Sequence, residues 1–378
     1  MKNILIVLGT RPEAIKLAPV IIELKKQNNI ETLVCSTGQH REMLKQVLEI
    51  FQVKIDFDLD LMKPNQNLYD ITSTSLIKLK VIFNKIKPDM VVVQGDTTTA
   101  FTASLAAFYK KIKVAHVEAG LRSYNVFSPY PEEANRRFIS IMADLNFAPT
   151  KNSAKNLLDE GVDRKKIYVT GNTVVDSIIN IKKQLNSLNI KKLKETTKDY
   201  LPEKFDNEKF ILITLHRREK FGVELEKMLQ AIKEIAIANP HYNFIYPVHL
   251  NPNVKMPVDK KLNNIDNIYL IPPQDYLSFI YMMSKCVMIL TDSGGVQEEC
   301  YIFKKPILVL RDVTERNEAI KAGYAFLVGS NPTKIKKYFN KIIKSIETHE
   351  NLFKQPNPFG DGHSAIKIVK IIKQNLIK

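Results

Sequence analysis

The chain has 378 residues but no tryptophan, only three cysteines and only 13 glycines. Cys35, Cys286 and Cys300 are odd in number, widely spaced and set in apolar stretches with no C-x-x-C pair. A disulfide framework is thereby excluded, and the expectation is a reduced, cytoplasmic protein in which each cysteine is a small core residue. Long hydrophobic runs are missing too: strings such as Ile4 to Leu8 and Met90 to Val93 fall far short of the ~20 residues that cross a bilayer. The first of them breaks at Gly9, Arg11 and Pro12, so it does not read as a signal peptide, and no membrane partner is expected. No H-x-x-x-H, H-E-x-x-H or Cys/His cluster occurs, so no metal is expected. Neither G-x-G-x-x-G nor G-x-x-x-x-G-K-[ST] is present, which removes the signatures of a dinucleotide cofactor and of ATPase chemistry; no cofactor is expected.

What is present is an ordinary globular composition, 44% hydrophobic and 25% charged, long enough for two domains. The formal charge of +16 comes from 56 Lys and Arg against 40 Asp and Glu. The lysines recur singly on helical faces and in the stretch Lys191 to Lys198, without the interleaved aromatics of an RNA-binding module. They read as solvated surface with some attraction for an anionic substrate, and no nucleic-acid partner is expected.

Short β-branched runs alternate with helical periodicity almost from end to end, the pattern of parallel βαβ units. Strands are predicted at Ile4 to Leu8, Thr32 to Ser36, Met90 to Val93, Val114 to Val117 and Asn146 to Ala148. After a Lys- and Asn-rich stretch from Ile181 to Asp206, a second series follows at Phe210 to Thr214, Asn243 to Pro247, Ile268 to Ile271, Val287 to Leu290 and Ile307 to Leu310. Asp361 to Ile377 reads as an amphipathic helix able to pack on either domain. The fold class is therefore α/β, with two Rossmann-like doubly wound domains. Ligands in such sheets sit beyond the carboxyl ends of strands, so residues just after strands carry the functional weight.

The first strand ends in G-T-R-P-E-A-I-K, where Thr10 and Glu13 have capping-box spacing and Glu13 reads as structural. Arg11 and Lys16 oppose the helix dipole, which makes sense if a phosphate or carboxylate binds there. Asp96, after the third long strand, taken alone reads as a helix N-cap. Glu118 follows the next strand, where a core residue would be apolar, and is expected to face a cleft. Glu132 and Glu133 follow Pro131 and are individually good first-turn chemistry. Three carboxylate elements near strand ends are harder to dismiss together. In the second half, His216 follows a strand beside Arg217 and Arg218, and His249 follows the next strand. Ser293, Gly294 and Gly295 then open a helix, Ser293 as its cap and the glycines exposing backbone amides to a diphosphate. Glu299 lies within reach of a ribose diol, and Arg316 is a second phosphate contact.

The motifs G-T-R-P-E-A-I-K, T-G-Q-H-R-E-M-L, G-D-T-T-T, H-V-E-A-G-L-R, P-E-E-A-N-R, G-N-T-V-V-D, H-R-R-E, Y-P-V-H-L-N-P, D-S-G-G-V-Q-E-E and N-P-F-G-D-G occur in that order from Gly9 to Gly362. Together they resemble the non-hydrolysing UDP-N-acetylglucosamine 2-epimerases. The resemblance implies a GT-B-like fold with the active site in the interdomain cleft and a homodimer. It implies an isomerase interconverting UDP-GlcNAc and UDP-ManNAc for surface polysaccharide precursors. It divides the chain into an N-terminal domain, 1–175, a UDP-binding domain, 176–360, and a C-terminal helix, 361–378, returning to the first domain. UDP-binding positions fall on Arg11, Gln274, Phe279, Ser293, Gly294, Gly295, Glu299 and Arg316. Substrate or catalytic positions fall on Lys16, Asp96, Glu118, Glu132 and His216. A second UDP-GlcNAc acting as activator is matched in part by Gln39, Glu42, Arg217 and His249. Departures are Gln94 in place of a more frequent His, Asn65 without the basic residue of some regulated members, the stretch Cys300 to Lys304, and Asn317 in place of Pro.

The residues fit such chemistry independently. The C2 hydrogen of a 2-acetamido sugar is not acidic, so elimination of UDP to a 2-acetamidoglucal, followed by readdition, is the accessible route. It needs cations and amides on the diphosphate and acid/base groups on both faces of C2. A hydrolysing epimerase releasing ManNAc and UDP, a GT-B glycosyltransferase and a non-catalytic nucleotide-sugar sensor are the rival readings.

Overall fold

The structure is a computed structural model and describes residues 1–39, 41–63, 66–187 and 208–377. The chain splits into two compact units, one made of Met1–Ile179 with Phe359–Lys378 and the other of Asn180–Pro358.

Unit 1 holds the strands β1 (Lys2–Leu8), β2 (Ile30–Ser36), β3 (Phe57–Asp58), β4 (Met90–Gln94), β5 (Lys113–Val117), β6 (Leu145–Ala148) and β7 (Ile167–Val169). They form one sheet in the order β3-β2-β1-β4-β5-β6-β7, every pairing parallel. Ile4 to Leu8 and Met90 to Val93 are completely buried, because a parallel sheet covered on both faces needs apolar side chains in both directions. Unit 2 holds β8 (Phe210–Thr214), β9 (Asn243–Pro247), β10 (Ile268–Ile271), β11 (Met288–Thr291), β12 (Ile307–Val309) and β13 (Ala325–Leu327). Their order, β10-β9-β8-β11-β12-β13, repeats that of the first six strands of unit 1, again all parallel. The expected pair of doubly wound sheets is thus present.

Three strands escaped the sequence reading: Phe57–Asp58, Ile167–Val169 and Ala325–Leu327. They are two or three residues long, lie at sheet edges and are only partly buried. A strand of that length has no periodicity to detect. Two motifs, G-N-T-V-V-D and N-P-F-G-D-G, meet within unit 1. The Asn172 N–H donates to the Phe359 carbonyl at 2.7 Å. The Asp176 carboxylate accepts the N–H groups of Ser364 (3.3 Å) and Ala365 (2.9 Å), capping the last helix, Ser364–Ile377, from another element. That helix buries Ile368, Val369 and Ile372 and packs on the first helix, Arg11–Lys25. Cys35, Cys286 and Cys300 are all free and buried, and burial pushes the Cys35 and Cys286 thiols up to about 12, so they are inert core residues as expected.

Candidate active site

In each unit the strand order reverses beside one strand, β1 in unit 1 and β8 in unit 2. Loops leaving the carboxyl ends of β1 and β4, or of β8 and β11, flank the opening that a doubly wound sheet offers a ligand. Asp96, His216, Arg217 and Ser293 lie on these loops, and Arg11, Gly294 and Gly295 open the helices that follow them.

In unit 1, Thr10 and Glu13 form the expected capping box. Glu13 does more than cap: its Oε2 accepts from the Gly9 N–H (3.0 Å), the Thr10 N–H (2.7 Å) and the Thr10 hydroxyl (2.8 Å), and its Oε1 accepts from the Thr97 hydroxyl (2.6 Å). The loops after β1 and β4 are therefore tied through one buried carboxyl group. Burial raises its pKa against the opposing pull of those hydrogen bonds. Arg11, half-exposed in the first helical turn, makes no hydrogen bond or ion pair among the described residues. Such a cation at the positive end of a helix suits an anionic ligand. Lys16 instead is buried and ion-paired with Glu118, which also accepts from Gln94 Nε2 at 2.9 Å. Glu118 has a left-handed backbone, φ 65°, a conformation that non-glycine residues adopt at a cost and that concentrates at functional sites.

Asp96 is not the helix N-cap that its position suggested. Thr97 takes that role, accepting the Ala100 N–H at 3.1 Å, because the helix begins at Thr98. The Asp96 carboxylate is left to pair with Arg136, while Asn135 donates to the Asp96 carbonyl at 2.9 Å. Glu132 and Glu133, alike in sequence, part company here. Glu133 is fully buried and spends its carboxylate on the N–H groups of Ser123 (3.0 Å) and Tyr124 (3.3 Å) and on Arg136 and Arg137; it is a clamp. Glu132 is the half-buried first residue of its helix, Glu132–Met142. His116 is buried on β5 with Nε2 2.7 Å from the Gly95 carbonyl. Burial pushes its pKa down to about 4, so the ring is neutral at pH 7 and its one N–H is the Nε2–H donated to that carbonyl.

In unit 2, the buried Asp292 at the end of β11 organises the end of β8. Its Oδ2 accepts the backbone N–H groups of His216 and Arg217, each at 2.8 Å, and its Oδ1 lies 3.4 Å from His216 Nδ1. The His216 ring stacks on that of His249, centroids 5.9 Å apart. Ser293 stands at the N-cap position of the helix Gly294–Glu299, but its side chain makes no capping bond, which corrects the expectation. The turn is held instead by the Thr291 hydroxyl accepting the Ser293 N–H (2.9 Å) and by Gln297 donating to the Ser293 carbonyl (3.1 Å). A side chain at Gly294 would meet the Arg316 guanidinium at 3.0 Å, so the bare backbone is what lets that cation lie on the start of the helix. Arg316 is aimed by Glu298 (2.9 Å) and Glu315 (3.1 Å). Glu315 also holds Arg311 at 3.2 Å. Burial works against its ionisation, yet Arg316 and Arg311 prevail and bring its pKa down to about 2. Arg217, whose pKa is lowered by burial and then by Arg311, has no hydrogen-bonding or ion-pair partner for its side chain among the described residues. Three guanidinium groups share this region.

Glu299 accepts from the Tyr276 hydroxyl at 3.0 Å, which links it to the helix Tyr276–Lys285 that carries the half-buried Phe279. Gln274, before that helix, donates to the Pro272 carbonyl at 2.8 Å. Of the four positions matched to an activator, Gln39 lies in unit 1, where its Oε1 accepts from Thr99 at 3.3 Å, and Arg217 and His249 lie in unit 2. The Glu42 side chain and Asn65 lie outside the described residues. Among the described residues no group of three or more His, Cys, Asp or Glu is placed to hold a metal ion, and no helix is long and apolar enough to cross a membrane.

His116, Asn135, Arg136, Asp292 and Tyr276 were not singled out in the sequence, and Gln94 only as a departure from the more frequent His. Asn135 and Arg136 carried a usable signal, standing three and four residues after Glu132 and so on its side of a helix. His116 and Asp292 did not, because they act across strands on residues 21 and 76 positions away.

A family model described as UDP-N-acetylglucosamine 2-epimerase matches residues 22–373. The UDP-N-acetylglucosamine 2-epimerase of Campylobacter jejuni is 50% identical over 375 residues, spanning 98% of this chain and 97% of its own length. The crystal structure of the Neisseria meningitidis UDP-GlcNAc 2-epimerase bound to UDP-GlcNAc superposes with a TM-score of 0.92 at 49% identity, covering 99% of this chain and 100% of that one. That of Methanocaldococcus jannaschii, in complex with UDP-GlcNAc and UDP, gives 0.84 at 35% identity, with 98% and 99% covered. Likeness of this depth runs through both units, and the chain belongs to the UDP-N-acetylglucosamine 2-epimerase family.

Proposed function

We propose that the protein is a non-hydrolysing 2-epimerase that interconverts UDP-GlcNAc and UDP-ManNAc, supplying an activated 2-acetamido sugar for surface polysaccharide in the cytoplasm. The observation that carries the reading is the pair of carboxylates at adjacent strand ends of unit 1, Asp96 after β4 and Glu118 after β5, each held by a cation. Unit 2 supplies the other requirement, bare backbone amides at Gly294 and Gly295 with the Arg316 guanidinium lying against Gly294. Arg11, those amides and Arg316 hold the diphosphate, with Gln274, Phe279 and Glu299 on the uridine. Breaking the C1–O bond sends the electron pair to UDP. The C2 proton passes to a carboxylate, leaving a C1=C2 double bond. Protonation of C2 from the opposite face and return of the UDP oxygen to C1 complete the inversion. Asp96, Glu118, Glu132 and His216 supply acid and base, and Asp292 holds His216 for it. Arg217 and His249, with Gln39 and Glu42, form the site of a second, activating UDP-GlcNAc; the unpaired Arg217 guanidinium supports this.

The test is proton NMR of the protein with UDP-GlcNAc in deuterated water. UDP-ManNAc signals should grow while deuterium enters C2 and no free sugar appears, at a rate sigmoidal in UDP-GlcNAc. Free ManNAc with UDP would assign the hydrolysing reaction instead. An unchanged spectrum, also at high substrate, would sink the assignment.

The homodimer is proposed through one face of unit 1. Helices Leu68–Ile86, Thr98–Tyr109 and Glu132–Met142 pack side by side and leave Ile77, Val81, Phe108, Tyr109, Phe138 and Ile141 exposed. Apolar residues gathered on one face are uncommon on monomers and typical of interfaces between copies. Light scattering should find a dimer for the wild type and a monomer for Val81→Glu/Ile141→Glu; a double variant that stays dimeric places the interface elsewhere.

A further inference from the structure

His116 lies on β5 with no exposed surface, and burying an imidazole costs free energy that some hydrogen bond must offset. Its Nδ1 meets no hydrogen-bonding partner among the described residues, while its Nε2 lies 2.7 Å from the Gly95 carbonyl. A carbonyl oxygen only accepts, so the proton sits on Nε2 and the ring donates it. That carbonyl belongs to the peptide joining Gly95 to Asp96. The Gly95 N–H is taken as well, donating to the Val117 carbonyl at 3.0 Å, so β5 holds both polar groups of this glycine. Gly95 has φ 71°, and a Cβ there would meet nothing within 4 Å; glycine serves the turn itself, not a close approach. On the far side of Asp96, Asn135 donates to its carbonyl at 2.9 Å and Arg136 pairs with its carboxylate.

We propose that His116 is a positioning residue for Asp96: its Nε2–H orients the Gly95–Asp96 peptide and so sets where the Asp96 carboxylate stands for proton exchange at C2. This rests on the epimerase reading above, in which Asp96 supplies acid or base. Two planar peptides bracket the Asp96 Cα. His116 holds the first through the Gly95 carbonyl and Asn135 holds the second through the Asp96 carbonyl, so both backbone dihedrals of Asp96 are set and its Cβ leaves in one direction. Arg136 then has only side-chain rotamers left to select. Misplacing a reacting group by about 1 Å can cost about 10²-fold in rate, which is what this bracing prevents. An apolar side chain would fill the same space without desolvation cost, so the bond to Gly95 is what the imidazole contributes. Burial holds the ring's pKa down to about 4, so the donor stays neutral at pH 7 and adds no charge beside Asp96.

The test compares wild type with His116→Phe, His116→Asn and His116→Gln for kcat, KM, deuterium entry at C2 and thermal midpoint. Phe keeps a ring but has no donor; Asn carries its amide N–H only as far as Nδ1 reaches; Gln carries one about as far as Nε2. His116→Phe should lower kcat and deuterium entry together by about tenfold or more, with KM within about twofold. His116→Asn should show the same loss, and supplies the reading where the Phe variant does not fold. His116→Gln should return kcat to within about threefold of wild type, because it restores the bond to the Gly95 carbonyl. Wild-type kcat in the Phe or Asn variant overturns the role. So does a Gln variant as slow as those two, which marks His116 as packing, and so does a loss that falls on KM alone. A wild type that exchanges no C2 proton overturns the epimerase reading itself, and this role with it.

Discussion

Glu118→Gln should lower kcat by about 10³-fold and abolish deuterium entry at C2, because the amide keeps the shape but cannot take a proton, and positioned acid/base groups are worth about 10² to 10⁴. The substitution also removes the counter-charge of Lys16, whose side chain is only 10% exposed. Truncating one partner of a buried pair can cost up to about 3 kcal/mol. A denaturant midpoint measured alongside separates the two effects: the chemical loss must persist where the variant is fully folded. Exchange at C2 within tenfold of wild type would remove Glu118 from proton transfer and leave it as the partner of Lys16.

Gly120→Ala should be the most damaging single methyl in unit 1. Gly120 has φ 88°, and a Cβ there would lie 2.2 Å from the Ser153 carbonyl oxygen and 2.8 Å from its carbon. Those atoms are backbone and cannot rotate away. Asn156 further pins the Gly120 carbonyl at 2.9 Å. Left-handed strain and overpacking together should cost about 3 kcal/mol or more, and activity should fall with stability because Glu118 is two residues upstream. Gly161→Ala is the matched control, with φ 82° but nothing within 4 Å of the added carbon; it should cost only about 1 kcal/mol. Thermal or urea unfolding of both reads the difference. Equal small losses would show that the loop between β5 and Ser123 gives way easily.

Both doubly wound sheets were legible in the sequence because their central strands must be apolar on two faces, and Ile4 to Leu8 or Phe210 to Thr214 can hardly be anything else. The capping box of Thr10 and Glu13 was legible for a similar reason, being local in the chain. Errors arose where one residue of register mattered. The helix after β4 begins at Thr98, so Thr97 is its cap and Asp96 is left for Arg136. Glu132 and Glu133 read alike because a helix start accepts any carboxylate; only the packing of Ser123, Tyr124 and Arg136 made Glu133 a clamp.

What the sequence by itself determined is therefore what depends on neighbours in the chain: strand apolarity, helix periodicity, the glycines at Gly294 and Gly295, and motifs dense enough to indicate the family. Tertiary structure alone decided which charges meet. Lys16 finds Glu118 across 102 positions, Arg136 finds Asp96 across 40, and Asp292 finds His216 across 76. Parallel sheets make such pairings unavoidable, since every strand ends at the same edge and residues far apart in sequence arrive there together. No local pattern encodes those encounters, because the side chains that meet share no segment of chain.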